Sequence, residues 1–383
     1  MVSTLRGLLF LRAMQGLLVM ILLMSTALTG SAQTQKRLLS YYPYWAATRT
    51  PAYSSAQIPY NKMTHILHAF LALNTNGQGG IVIPQGLLDS QLITKAHAAG
   101  VKVIISIGGG NSQQASAFSK IAASDAYRRA FAKNVHGFLS TYGYDGVDID
   151  WEVPNAPHDT QPCTMLMEAL RAELPTPRWL ISMAVGSDPR YYGTGFDIPA
   201  LTPLVDFFNV MTYDFHGPWS NHSGHNSPLL LDPSDPGQEG SVSTSIDLFR
   251  QSYGVPAQKL NMGTAFYGYE FDAVQNLWNY CACSNTTTAQ HYGTYIKSRI
   301  NLMGWQRFFD NAAQSPYLLN GGTGGSLGMI AYDDAASTGQ KTQYVLYQRG
   351  LGGVFMWELS ADYDGKTQDL LNAMYLAWQG LPY

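Results

Sequence analysis

Short apolar runs, many of them β-branched, alternate along the chain with stretches of helical period, the pattern of repeating parallel β/α units. Eight such runs read as strands: Leu38–Tyr42, Thr64–Leu73, Lys102–Ile107, Gly146–Glu152, Leu180–Val185, Phe207–Tyr213, Leu260–Ala265 and Gly353–Trp357. The clearest helix runs from a Ser124 cap to Tyr142, with Tyr127, Phe131, Val135, Phe138, Leu139 and Tyr142 on one face and Gly143 as terminator. Leu87–Ala99, Cys163–Leu174, Ser241–Tyr253, Thr338–Arg349 and Thr367–Trp378 are further helical candidates. Eight strands with interleaved helices predict an α/β fold, a closed (β/α)₈ TIM barrel. One connection is long. About eighty residues separate Ala265 from Gly353 and contain a strand-like Gly328–Asp334, which predicts a small insertion between strands seven and eight.

The first segment stands outside this pattern. Arg6 and Arg12 precede an apolar run, Leu17 to Leu28, and then the small residues Gly30, Ser31 and Ala32. That order is expected of a secretory signal at residues 1–32, followed by one catalytic barrel over 33–383 and secretion to the extracellular space or periplasm. An uncleaved anchor is the alternative, and no second spanning segment is visible. A net charge of -3 argues against nucleic acid as partner, which needs a basic footprint. Cys281 and Cys283 stand too close for an easy unstrained bridge, and with Cys163 they read as structural or incidental thiols.

The chemistry concentrates in Tyr144-Asp145-Gly146-Val147-Asp148-Ile149-Asp150-Trp151-Glu152. Side chains alternate along a strand, so Asp148, Asp150 and Glu152 share a face, with same-face neighbours roughly 6.5–7 Å apart. Val147, Ile149 and Trp151 face a covering helix. Three buried carboxylates cannot all ionise; protons must be shared and at least one pKa raised, the condition acid–base chemistry needs. A divalent metal fits less well. Gly146 precedes the acids on a strand, whereas a calcium loop needs its Gly among them, there is no HExxH, and His216, His222 and His225 fall in a Gly/Asn/Ser-rich loop.

Asp145 to Glu152 matches DGxDxDxE, and in this the chain resembles family 18 of the glycoside hydrolases, the chitinase family. Ser106-Ile107-Gly108-Gly109 resembles the family's third-strand motif and Met211-Thr212-Tyr213-Asp214 its sixth-strand motif. Ala331-Tyr332-Asp333-Asp334 and Gly350–Trp357 resemble its last barrel segments. The resemblance implies hydrolysis of β-1,4-linked N-acetylglucosamine polymers with retention, the substrate's N-acetyl oxygen attacking to form an oxazolinium. It makes Glu152 the general acid, Asp150 the partner of the N-acetyl N–H, Asp148 a residue sharing a proton with Asp150, and Tyr213 the donor to the acetamido oxygen. Trp357 would floor the sugar, Asp214 and Met211 would line the same subsite, and Tyr267, Tyr42 and Phe70 would also touch substrate. Trp45, Trp219 and Trp278 are candidate sugar platforms. Ser106, Gly108 and Gly109 would serve close backbone approach, and Asp145 would be structural. The resemblance further implies non-proline cis peptides near Ala69–Phe70 and Trp357–Glu358, no cofactor, no metal, and a monomer acting on chitin or N-acetylglucosamine oligosaccharides. A glycoprotein- or peptidoglycan-acting enzyme is the alternative substrate reading. A sugar-binding lectin would have lost the proton donor, which is retained as Glu152. Gly110 and Asn111 stand where the family often has Trp, so one aromatic contact is expected to be missing, and Tyr269-Glu270 stands where Arg is common; the insertion after strand seven looks shorter than that of the deep-groove members, so a shallower cleft is expected.

Overall fold

The computed structural model describes residues 36–152, 158–188, 195–300, 302–321 and 327–383. The expected signal segment, residues 1–32, and the Val153-Pro154 pair that follows the acidic strand lie outside them. The strands, in chain order, are β1 (Arg37–Pro43), β2 (His65–Leu73), β3 (Ile81–Val82), β4 (Lys102–Gly108), β5 (Gly146–Asp150), β6 (Leu180–Gly186) and β7 (Phe207–Met211). There follow β8 (Leu260–Ala265), β9 (Tyr267–Asp272), β10 (Thr287–His291), β11 (Trp305–Asp310), β12 (Ser315–Asn320), β13 (Gly328–Ala331) and β14 (Gly353–Trp357).

Eight of these pair in parallel in the order β1-β14-β8-β7-β6-β5-β4-β2, and β1 pairs with β2 to close the ring. This is the expected (β/α)₈ barrel, and all eight sequence-read strands are its staves. Alternation sorts the strand residues into two apolar layers. Leu39, Tyr41, Leu67, Ile104, Phe207 and Phe355 fill the lumen, while Leu38, Tyr42, Ile66, Val103, Ile105, Val147 and Ile149 pack outward under the helices. Two strands end earlier than their sequence pattern. β5 stops at Asp150 and β7 at Met211, because Gly108↔Asp150 and Gly186↔Met211 are the last paired positions. Trp151, Glu152, Thr212 and Tyr213 therefore belong to the rim, where barrel loops begin.

The helix Asp125–Tyr142 has the expected ends: Ser124 Oγ accepts from the Tyr127 amide, and Gly143 closes it at φ 78°. Helices at Ser90–Ala98, Thr160–Glu173 and Asp369–Trp378 match the other readings within a few residues. Ser112–Ala123 was not foreseen, since SQQASAFSKIAA offers only Phe118 and Ile121 as large apolar positions. Both are buried, and Phe118 stacks on Trp151 with centroids 5.2 Å apart. That contact fixes the outward side of the acidic strand.

The insertion between β8 and β14 is more than the small element expected. It holds a five-stranded antiparallel sheet, β10-β9-β13-β12-β11. Ala331-Tyr332-Asp333-Asp334 closes β13 of that sheet and is no part of the barrel wall, a correction to the sequence reading. Cys281 and Cys283 are joined as a disulfide, which spacing alone had argued against; their Cα atoms, 4.9 Å apart, lie within bridging range. Cys163 is free and buried. Among the described residues no helix is long and apolar enough to cross a membrane.

Candidate active site

The register of β4, β5 and β6 sets the centre of the site. Asp148 stands opposite Ser106 on one side and Ser182 on the other. Both serine hydroxyls donate to it, Ser106 Oγ at 2.8 Å and Ser182 Oγ at 2.6 Å. Tyr41 Oη (2.8 Å) and Asn209 Nδ2 (3.1 Å), from β1 and β7, complete four donors on a fully buried carboxyl. Sequence reading had given Ser106 only a backbone role and had passed over Tyr41, Ser182 and Asn209. Burial pushes the Asp148 carboxyl above its usual range, and the four donors work against that.

Asp150 is next along the face. It is nearly buried, and its Oδ1 has no hydrogen-bond partner. Among the described residues no hydrogen bond joins it to Asp148, whose oxygens are taken by the four donors. Burial first, then the charges of Glu152 and Asp148, hold the Asp150 carboxyl well above its ordinary value. Glu152 follows at the rim, half-buried. Burial, with Asp214 as the secondary cause, pushes it up to about 7. Each member of the row thus favours its protonated form more than a free carboxylate does, as three close carboxylates must.

A cavity opens beside Glu152, lined also by Ala184, Gly186, Phe196, Met211, Tyr213 and Asp214. Asp214 adopts φ 62° just beyond β7. Its backbone N–H donates to Asn226 Oδ1 (2.9 Å), and its carboxylate accepts from the hydroxyls of Tyr267 and Tyr269. Tyr213 is 7% exposed, with its ring edge-on to Tyr267 and Phe355. Trp357 and Phe70, both half-buried, stack at 5.7 Å, and Trp45 continues the aromatic row 6.1 Å from Phe70. The peptides Ala69–Phe70 and Trp357–Glu358 are both cis. Gly110 comes close to the acid: a Cβ there would lie 3.0 Å from Glu152 Oε2. Gly108 needs its missing side chain too, at φ 116° with the Asp150 carbonyl where a Cβ would sit.

Two expectations are redistributed. Tyr42 faces outward, stacks on His68 and donates to the Tyr53 carbonyl, so it is wall and not lumen; one residue's alternation makes Tyr41 the inward tyrosine. Trp278 lies against His216, His222 and His225 rather than standing free as a platform. Trp219 is exposed and stands perpendicular to Tyr269, with ring centroids 5.6 Å apart. Asp145 is structural, as expected. It faces out of the barrel and accepts from the Val103 amide, with His97 Nε2 2.9 Å away.

Residues 37–362 match the family model "Glycosyl hydrolases family 18". The chain is 31% identical to Chitinase A1 of Niallia circulans over 90% of its own length, and spans 59% of that longer protein. Among solved structures, the second catalytic domain of a group II chitinase from Ostrinia furnacalis, a mutant in complex with a chitooligosaccharide, superposes with a TM-score of 0.80 at 25% identity, over 90% of this chain and 97% of that one. A class V chitinase from Nicotiana tobaccum in complex with NAG4 gives 0.78 at 25% identity, over 91% and 100%. With the acidic row, the closed barrel and this match over most of its length, the chain belongs to family 18 of the glycosyl hydrolases.

Proposed function

We propose that this chain hydrolyses chitin and chitooligosaccharides with retention, using the substrate's own acetamido group as nucleophile. One observation carries the reading: Asp148, Asp150 and Glu152 stand in one row at the barrel mouth, and Glu152 borders a cavity shared with Tyr213, Asp214 and Met211. The chitooligosaccharide bound to the Ostrinia relative supports the substrate class.

In the proposed sequence Glu152 gives its proton to the glycosidic oxygen as the bond to the anomeric carbon breaks. The acetamido oxygen bonds to that carbon from the opposite face, forming an oxazolinium and conserving charge, since Glu152 is now a carboxylate. Tyr213 donates its hydroxyl to the acetamido oxygen and holds it in line. Asp150 takes the acetamido N–H and offsets the positive charge that develops there. Asp148, held rigid by Tyr41, Ser106, Ser182 and Asn209, fixes the field that Asp150 feels. Glu152 then removes a proton from the water that opens the ring. Met211 and Asp214 shape the subsite, and Trp357 with Phe70 offers the apolar sugar face a floor. We also infer that the protein acts outside the cytoplasm, on the n-, h- and c-region order of residues 1–32. Recovery of processed chain from the culture medium supports this, and retention in the cytoplasm contradicts it.

The test is Glu152→Gln. Turnover of a chitooligosaccharide should fall at least about a hundredfold with oligosaccharide affinity largely kept, a general-acid effect. Turnover near that of the unaltered chain sinks the assignment.

A further inference from the structure

The loop leaving β7 passes Asp214 and then gathers a second set of donors that the proposed hydrolysis does not use. His216 is fully buried, and its Nδ1 lies 3.0 Å from the His225 carbonyl. A carbonyl only accepts, so Nδ1 carries the hydrogen and Nε2 presents its lone pair. His222, also buried, repeats the arrangement with Nδ1 3.2 Å from the Ser223 carbonyl. Both Nε2 atoms turn toward the same two carboxylates. His216 Nε2 is 3.2 Å from Glu239 Oε2 and 3.5 Å from Asp235 Oδ1. His222 Nε2 is 3.8 Å from Glu239 Oε1 and 3.9 Å from Asp235 Oδ1.

His216 Nε2, His222 Nε2 and a Glu239 carboxylate oxygen thus gather within 4.8 Å of one another, and His216 Nε2, buried as it is, makes no hydrogen bond. Charge-assisted hydrogen bonds from imidazolium rings would draw these pairs to about 2.7–2.9 Å. The observed spacings, 3.2 to 3.9 Å, are longer than that and span the roughly 3.3–3.5 Å edge of a tetrahedron whose metal–ligand bonds are 2.0–2.2 Å. The ring of His216 occupies space only Gly224 leaves open, since a Cβ there would meet its Nε2 at 2.6 Å. Trp278 packs edge-on to both histidines, and a cavity lined by Glu239, Gly240, Ser187 and Asp188 opens beside the cluster.

We propose that His216, His222 and Glu239 bind one divalent transition-metal ion, zinc by their chemistry, as a structural site, with Asp235 beside both histidines. Two imidazoles with a carboxylate suit zinc, whereas calcium and magnesium favour all-oxygen shells. The backbone carbonyls on both Nδ1 atoms are the outer partners that fix ring orientation at zinc sites. Glu239 and the neighbouring Asp235 balance the ion's charge. None of the four lines the cavity beside Glu152. The ion would pin together the two ends of the 212–240 loop, which delivers Asp214, with Trp278 packed on its two histidines. The absence of an HExxH pattern had argued against metal, because Asp235 and Glu239 enter the set only through the loop's return.

The test is calorimetric titration of the chelator-treated full chain with zinc chloride, alongside its thermal unfolding. One equivalent bound per chain, with an unfolding midpoint that rises with zinc, is the expected result. His222→Gln and Glu239→Gln should each weaken zinc binding at least about a hundredfold, since loss of an outer partner alone costs ten- to a hundredfold. Glu239 is the safer variant for folding because its side chain is partly exposed. Absence of saturable zinc binding, or equal affinity in both variants and the unaltered chain, overturns the proposal.

Discussion

Glu152 owes its raised pKa first to burial and then to the Asp214 charge, so it holds its proton up to about pH 7 and is a carboxylate above it. Because the donor must be protonated, kcat/KM should fall as pH rises through that value, about tenfold per unit. Asp214→Asn removes the charge that favours the protonated form and should move this alkaline limb to lower pH. A pH–rate profile of both proteins checks the sign; an unmoved limb means that Asp214 does not set the acidity of Glu152. At this scale the acidic row was legible because alternation alone puts Asp148, Asp150 and Glu152 on one face. Its donors were not. Tyr41, Ser182 and Asn209 come from three other strands, and only the barrel's register brings them to Asp148. The choice between Tyr41 and Tyr42 turns on a single residue of phase.

Among the elements, the helix Ser112–Ala123 matters beyond its modest apolar content. Phe118 is its anchor, packed on Trp151 between two residues of the acidic row. Phe118→Ala should cost about 3–5 kcal/mol of unfolding free energy, read from a denaturant midpoint; a loss well under 1 kcal/mol would mean the strand does not lean on this helix. The same helix escaped sequence reading because its polar Ser and Gln positions hide a two-residue apolar stripe, whereas Asp125–Tyr142 announces itself with a cap, a long stripe and Gly143. The five-stranded sheet was half legible. Only the β13 segment read as a strand, while Thr287–His291 and Trp305–Asp310 carry too many polar residues to stand out.

For the molecule as a whole, the problem is joining the inserted sheet to the barrel. Lys341 and Asp333 form a fully buried ion pair at 2.7 Å, and the same ammonium reaches the Ser227 hydroxyl at 3.0 Å in the loop after β7. Lys341→Met leaves a buried carboxylate unpaired and should destabilise the fold by about 3–5 kcal/mol, a loss that Asp333→Leu in the same chain largely restores. Equal stability of the single variant and the unaltered protein would show that this tie carries nothing. Closure of the barrel itself followed from eight alternating β/α units. The tie did not, since a Lys and an Asp eight residues apart reveal neither their burial nor the remote loop they hold.

The central claim is retention through the substrate's own acetamido group, with Glu152 as acid and then base. It is tested most directly by following the anomeric configuration of the first products released from a chitooligosaccharide, by proton NMR within the first minutes of reaction. The account predicts β-anomer products that mutarotate only later. Initial α-anomer products would mean direct displacement by water and would contradict it.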